Sequence, residues 1–155
     1  MNAPAAPPRA LLRIETLRAP FVEILERTGT QVTGWTGALV ATVDGRQVAV
    51  HHTEEMEAAR VSAMVGSVVA LGDTVCRELK FGRSQSLIVS AGSGHLLAVR
   101  IPASREVLVL GVLARSNATL GLLVHYARQA ATEIGACFDQ LQAQSLAQAQ
   151  AIAAG

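Results

Sequence analysis

The chain has 155 residues, half of them apolar, with 13 Lys and Arg against 12 Asp and Glu and a net charge of +1. That is the size of one domain with ample material for a core; with aromatic residues at 3%, it lacks the basic footprint and stacking rings of a nucleic-acid binder. Mean hydropathy is positive, yet no uninterrupted apolar run approaches the roughly 20 residues that span a bilayer, so no direct membrane insertion is expected. The amino terminus has neither the basic start nor the apolar middle of a secretory signal, and a cytoplasmic location is expected. Cys76 and Cys137 lie far apart inside apolar helical patterns, which reads as two free thiols rather than a disulfide or metal clip.

Residues 1–15, rich in Ala and Pro over residues 1–9, are expected to form a flexible amino-terminal tail. The domain proper runs over residues 16–141. From Thr16, a candidate cap, Leu17, Phe21, Ile24, Leu25 and Thr28 recur at helical spacing, with Pro20 in the first turn and Gly29 at the end. "TGALVATVDGRQVAV" then holds two extended stretches flanking Asp44 and Gly45, a pair suited to a tight hairpin turn. Thr53 is placed to cap a second helix, with Glu54, Glu55 and Glu57 at its positive end and the pattern reaching Leu79, about 25 residues. Three more extended runs follow: "SLIVSA", then "HLLAVRI" beyond a Gly92 to Gly94 turn, then "EVLVLGVLA" beyond a Pro102 to Arg105 turn. "VLVLGVLA" is apolar without alternation, so it belongs in the middle of a sheet covered on both faces. Asn117 caps a last helix with the stripe Leu120, Val124, Ala127, Ala131, Ile134, Phe138 and Leu141; the Ala/Gln-rich tail 142–155 either prolongs that helix or frays. The order α-β-β-α-β-β-β-α with two hairpin turns predicts an α+β layered fold, five antiparallel strands with helices on both faces.

Candidate chemistry is sparse. His51 and His52 are adjacent and, on a strand, point to opposite faces, so they do not chelate one ion together. His95 and His125 have no Cys, Asp or Glu at ligand spacing, and no metal or cofactor is expected. "GSGH" lacks the full phosphate-loop pattern and joins strand to strand. Ser90, Ser93 and His95 come without a GxSxG elbow or an orienting carboxylate, so no catalytic residues are assigned.

The second helix raises a sharper question. Val61, Val65, Val68, Gly72, Val75, Cys76 and Leu79 form a stripe fit for a core. A second stripe, Arg60, Met64, Ser67, Leu71, Thr74 and Glu78, is charged at its ends and small or apolar between, with Ala63 and Ala70 beside it. Ser62, Gly66 and Ala70 at spacings of four would let another helix come close. A helix wrapped by its own chain is one reading; two copies of this helix packed about a twofold axis is the favoured one. The polar run "RSQSLIVSAG" suits an exposed edge strand that would pair with its copy into a continuous sheet. The expected dimer interface is therefore Arg60, Ala63, Met64, Ser67, Ala70, Leu71 and Thr74, joined by Ser86 and Ile88 on the strand.

"VTGWTGALVATVDGRQVAV" resembles the opening hairpin of the roadblock family, named after a dynein light chain and including bacterial gliding-motility regulators. The likeness continues through "AAR…VVALGDTV", "HLLAVRIP", "VLVLGVLA" and "NATLGLL", in order over about residues 20–140. The resemblance implies a profilin-like sheet in strand order 2-1-5-4-3 with the long helix alone on one face. It also implies homodimers formed through the second helix and third strand, and partnership with a small Ras-like GTPase, without nucleotide chemistry of the chain's own. The reading from sequence is thus a homodimeric, non-catalytic regulator of such a GTPase. A scaffold subunit of a multiprotein or cytoskeletal complex, indifferent to nucleotide state, is the alternative; a small-ligand sensor on a related sheet is a third. Arg46, Arg60, Arg83 and Arg115 read as solvated charges, and none is assigned to the partner.

Overall fold

The computed structural model describes residues 13–155 apart from Ser104 and Glu106. The elements run α1 (Ile14–Gly29), β1 (Trp35–Thr42), β2 (Gln47–His52), α2 (Ala58–Glu78), β3 (Ser86–Ala91), β4 (Gly94–Arg100), β5 (Leu108–Arg115) and α3 (Leu120–Ala154). All neighbouring strands are antiparallel, in the order β2-β1-β5-β4-β3. This is the expected α+β class, topology and strand order.

Alternation divides the core into two layers. Ala38 and Val40 of β1, Leu97 and Val99 of β4, and Leu108, Leu110 and Val112 of β5 face α1 and α3. Leu39, Ala41, Ala98 and Val109 point the other way, onto Val65 and Val69 of α2. β5 lies between β1 and β4 and is buried on both faces along most of its length, the position its unalternating apolar run predicts. The β1–β2 turn closes with the Gly45 N–H donating to the Thr42 carbonyl at 2.8 Å, and Gly45 takes φ +91°, which a side chain would disfavour.

Helix boundaries depart from expectation. α1 starts at Ile14, so residues 14 and 15 are helical and Pro20 lies in the second turn; the Thr16 N–H donates to the Arg13 carbonyl, and Thr16 is not a cap. The rest of the expected tail, residues 1–12, lies outside the described residues. α2 starts five residues after Thr53, because the Thr53 hydroxyl and N–H both donate to the Thr36 carbonyl at the end of the hairpin, and Glu54 pairs with Arg115. α3 starts after Thr119; the Asn117 side chain packs against Gly34 instead of capping. The Ala/Gln tail continues α3 to Ala154, a helix of 35 residues and about 52 Å. Leu123, not Leu120, is the first buried residue of its stripe, since Leu120 is exposed at the mouth of the helix.

By length and composition α2 is also apolar enough to cross a membrane. It nevertheless lays Ser62, Val65, Gly66, Val69 and Gly72 against the sheet, as a core helix does.

Candidate functional site

α2 crosses the sheet from the β1–β2 turn to the edge strand β3. At the first end, Gly66 meets the turn so closely that a Cβ there would sit 2.9 Å from the Gly45 Cα; at the second, a Cβ on Gly72 would sit 2.7 Å from Leu87 Cδ1. Ser62 and Gly66 therefore face inward, which corrects the expectation that they open the helix to a second helix. β3 is the last strand of the sheet, so residues of α2 beyond Gly72 run past it. Val75 and Leu79, expected in the core, are exposed for that reason.

The outer side of α2 carries every helical residue of the expected interface. Arg60, Ala63, Met64, Ser67, Ala70, Leu71 and Thr74 are all exposed, Leu71 by 64%. The Ser67 hydroxyl donates to the Ala63 carbonyl at 3.0 Å and the Thr74 hydroxyl to the Ala70 carbonyl at 3.1 Å. Those groups are satisfied within the helix, so the stripe makes little demand for outside hydrogen bonds. On β3, Ile88 is exposed and Ser86 half-buried. Both stand opposite Val99 and Leu97, so their side chains point to the α1 and α3 side of the sheet, away from α2, which corrects their expected place beside the helix stripe. Val89, opposite Leu96, is the exposed apolar residue of β3 on the α2 side; Val75, Leu79 and Phe81, the last 74% exposed, are further apolar residues that spacing did not identify as exposed. Phe81 follows Lys80, whose positive φ of 57° turns the chain sharply out of α2, and periodicity does not register residues beyond a helix end.

The backbone of β3 is also available. Arg100 donates its N–H to the Gln85 carbonyl at 3.0 Å, so odd-numbered residues of this strand bond inward to β4. In an antiparallel ladder the alternate residues, Ser86, Ile88 and Ser90, then direct their N–H and C=O groups to the open edge.

A half-buried polar cluster ties the end of α2 to this edge. Asp73 accepts from the Ser84 hydroxyl at 2.8 Å, from the Ser84 N–H at 3.3 Å and from Arg100, whose Nε donates to the Ser84 carbonyl at 2.8 Å. Burial raises the Asp73 pKa, but the hydrogen bonds from Arg100 and Ser84 and the Arg100 charge outweigh it and hold the carboxyl below its ordinary value.

Elsewhere the polar groups are scattered. His51 and His52 succeed one another on β2. His95 Nδ1 lies 2.9 Å from Ser90 Oγ across the β3–β4 pair, the serine exposed and the histidine half-buried. Arg115 pairs with Glu54 at 2.5 Å, and Arg60 with Glu57 at 3.1 Å. Among the described residues no group of three His, Cys, Asp or Glu side chains converges to hold a metal ion.

Three solved structures share this arrangement: a roadblock/LC7 domain from Streptomyces avermitilis, an MglB with a tetrameric arrangement, and MglB of Myxococcus xanthus. Their TM-scores are 0.66, 0.72 and 0.73. This chain has the roadblock fold. The Streptomyces domain is 18% identical, with 73% of this chain and 92% of that one covered. The tetrameric MglB is 17% identical over 91% and 99%, and the Myxococcus protein 12% identical over 84% and 96%. No protein-family model and no curated protein matches the chain. At these identities the roadblock likeness is one of architecture, and it places α2 alone on one side of the sheet with β3 at the edge beside it.

Proposed function

We propose that the chain is a homodimeric, non-catalytic roadblock-type regulator that acts in the cytoplasm, binds a small Ras-like GTPase and modulates its activity or placement. The observation that carries this reading is the uncovered apolar face of α2 and β3. Leaving a Leu or Met in water forgoes roughly 1.5 to 3 kcal/mol of burial each, and Met64 and Leu71 of α2 and Val89 of β3 are exposed on this side of the sheet beside an open strand edge. A second copy covers the helix stripe and completes the β3 ladder in one operation. A dimer built so offers the GTPase a composite surface, and preference for one switch conformation would shift its equilibrium without nucleotide chemistry from the chain. The resemblance in "GALV…DG" and the later motifs supports the GTPase as partner.

The test has two steps. Light scattering over a range of concentrations should give about twice 16.2 kDa on dilution. The dimer is then challenged with Ras-like GTPases loaded with GDP or a GTP analogue. Binding that differs between the two states supports regulation; equal binding in both favours a scaffold. A monomer at all concentrations overturns the reading.

A further inference from the structure

The corner where α2 hands the chain to β3 concentrates positive charge. From Leu79 to Thr132 the sequence carries six Lys and Arg against one acid, in a chain whose net charge is +1. Folding gathers several of these cations with Arg77. One open cleft brings Arg77, Lys80 and Arg83 together, a second shares Arg83 with Arg100, and a third shares Arg100 with Arg128 of α3. Among the described residues, Asp73 is the one acid lining any of the three, and its carboxylate is taken up by Arg100 and Ser84. Glu78, on the outer stripe of α2, is the only other acid in the 73–85 segment, and Arg77, Lys80, Arg83 and Arg128 are all exposed.

Phe81 stands within this charge. Lys80 at φ 57° and Gly82 at φ 86° turn the backbone out of α2, and the Phe81 N–H donates to the Cys76 carbonyl at 2.8 Å, which fixes the turn. The Phe81 ring is left in water, with Leu79 exposed two residues before it. A helix C-terminus favours cations within its last turn, and that accounts for Arg77 and Lys80. It does not account for Arg83 and Arg128, nor for a large aromatic ring held in solvent at the same turn.

We propose that this corner rests on an anionic membrane surface, with its Arg and Lys side chains on lipid phosphates and carboxylates and Phe81 among the headgroups. The two halves of the patch select that partner together. A soluble phosphate satisfies the cations and leaves the ring in water; an apolar protein groove takes the ring and leaves the cations unmatched. A leaflet rich in anionic lipid offers negative charge above acyl chains, the combination that basic residues interleaved with Phe and Leu engage. The contact is peripheral and spans nothing. It lies on one chain, so it does not depend on self-association, and it would bring the proposed regulator to a surface where its GTPase can be held.

The test is co-sedimentation of the full chain with vesicles of phosphatidylcholine, alone or with about 30% phosphatidylserine, at about 0.1 M salt. Wild type should bind the anionic vesicles, ignore the neutral ones and be released at about 0.5 M salt. Each basic residue near an anionic leaflet raises partitioning about fivefold, so the reversals Arg77→Glu and Lys80→Glu should each weaken binding by about tenfold or more. Arg18→Glu, at an exposed site on α1, makes the same change in net charge and should bind within about twofold of wild type. Phe81→Trp should shift its emission to the blue on anionic vesicles, over a constant background from Trp35, which is already buried. Circular dichroism checks the fold of each variant. Wild type that ignores anionic vesicles, Arg18→Glu as weak as Lys80→Glu, or Phe81→Trp emission that does not move overturns the proposal and leaves the regulator reading standing. A monomeric wild type that still binds anionic vesicles supports it while overturning self-association.

Discussion

Gly135 sits on the buried side of α3 where the helix passes over the end of β4. A Cβ there would fall 2.9 Å from the Pro102 carbonyl carbon, nearer still to its oxygen, and 3.4 Å from Ile101 Cγ2. The obstructing atoms are backbone, so no rotamer change relieves them, and with the Pro102 oxygen 1.9 Å from that position α3 must retreat by about 1 Å in an interior that is close-packed. Overpacking of that kind costs about 3 kcal/mol, and the better helix propensity of Ala returns about 1. Gly135→Ala should therefore lose about 2 kcal/mol and melt about 4 to 8 °C lower. Gly121, in the same helix, has nothing within 4 Å of the corresponding position. Gly121→Ala should gain about 0.5 kcal/mol. Thermal and urea unfolding of the two variants beside wild type gives the comparison. A Gly135→Ala protein as stable as wild type would refute the claim that α3 rests on the Pro102 backbone.

Met64→Glu and Leu71→Glu change exposed side chains, so each should yield a soluble monomer by light scattering with melting temperature within a few degrees of the parent's; a variant that stays dimeric removes α2 from the interface. Asp73→Asn probes the α2–β3 clamp through pH. Because the folded Asp73 pKa is depressed, the stability gap between wild type and variant is present in full above the unfolded value near 3.8 and is lost as pH falls through the lower folded value. Urea titrations from about pH 7 to about pH 2 measure it, and a gap unchanged in acid contradicts the ion-pair account. Burial, reinforced by the neighbouring Glu133 charge, raises the Cys137 thiol above 9.0, so alkylation there at neutral pH should be slow in the folded protein and fast in urea. Equal rates in both states would count against its burial.

The parts of the fold that depend on period and local turn chemistry were legible: the Asp44–Gly45 hairpin, the central position of "VLVLGVLA", and the class and order of elements. Helix starts were not. Thr16, Thr53 and Asn117 have the composition of caps, but the Thr53 hydroxyl is claimed by Thr36 and Asn117 packs against Gly34, partners that only the tertiary structure supplies. The outer stripe of α2 could be read because it repeats at helical spacing. The inner stripe that spacing predicts is longer than the buried one, since periodicity does not say where the sheet beneath a helix stops, and Val75 and Leu79 are exposed. Gly66 meets the Gly45 turn and not a second helix for a related reason: a small residue marks a close approach without saying from which side.

The two close approaches of α2 also set a height. At Gly66 against Gly45 and at Gly72 over Leu87 the helix has no side chain between itself and what lies beneath, so its axis rides nearer the sheet than side-chain-bearing residues at those points would permit. A low-riding helix makes only a shallow step down to the neighbouring strand edge. Whatever approaches from that side touches helix and strand in a single plane, and enlarging either glycine would tilt that plane before it altered any residue on it.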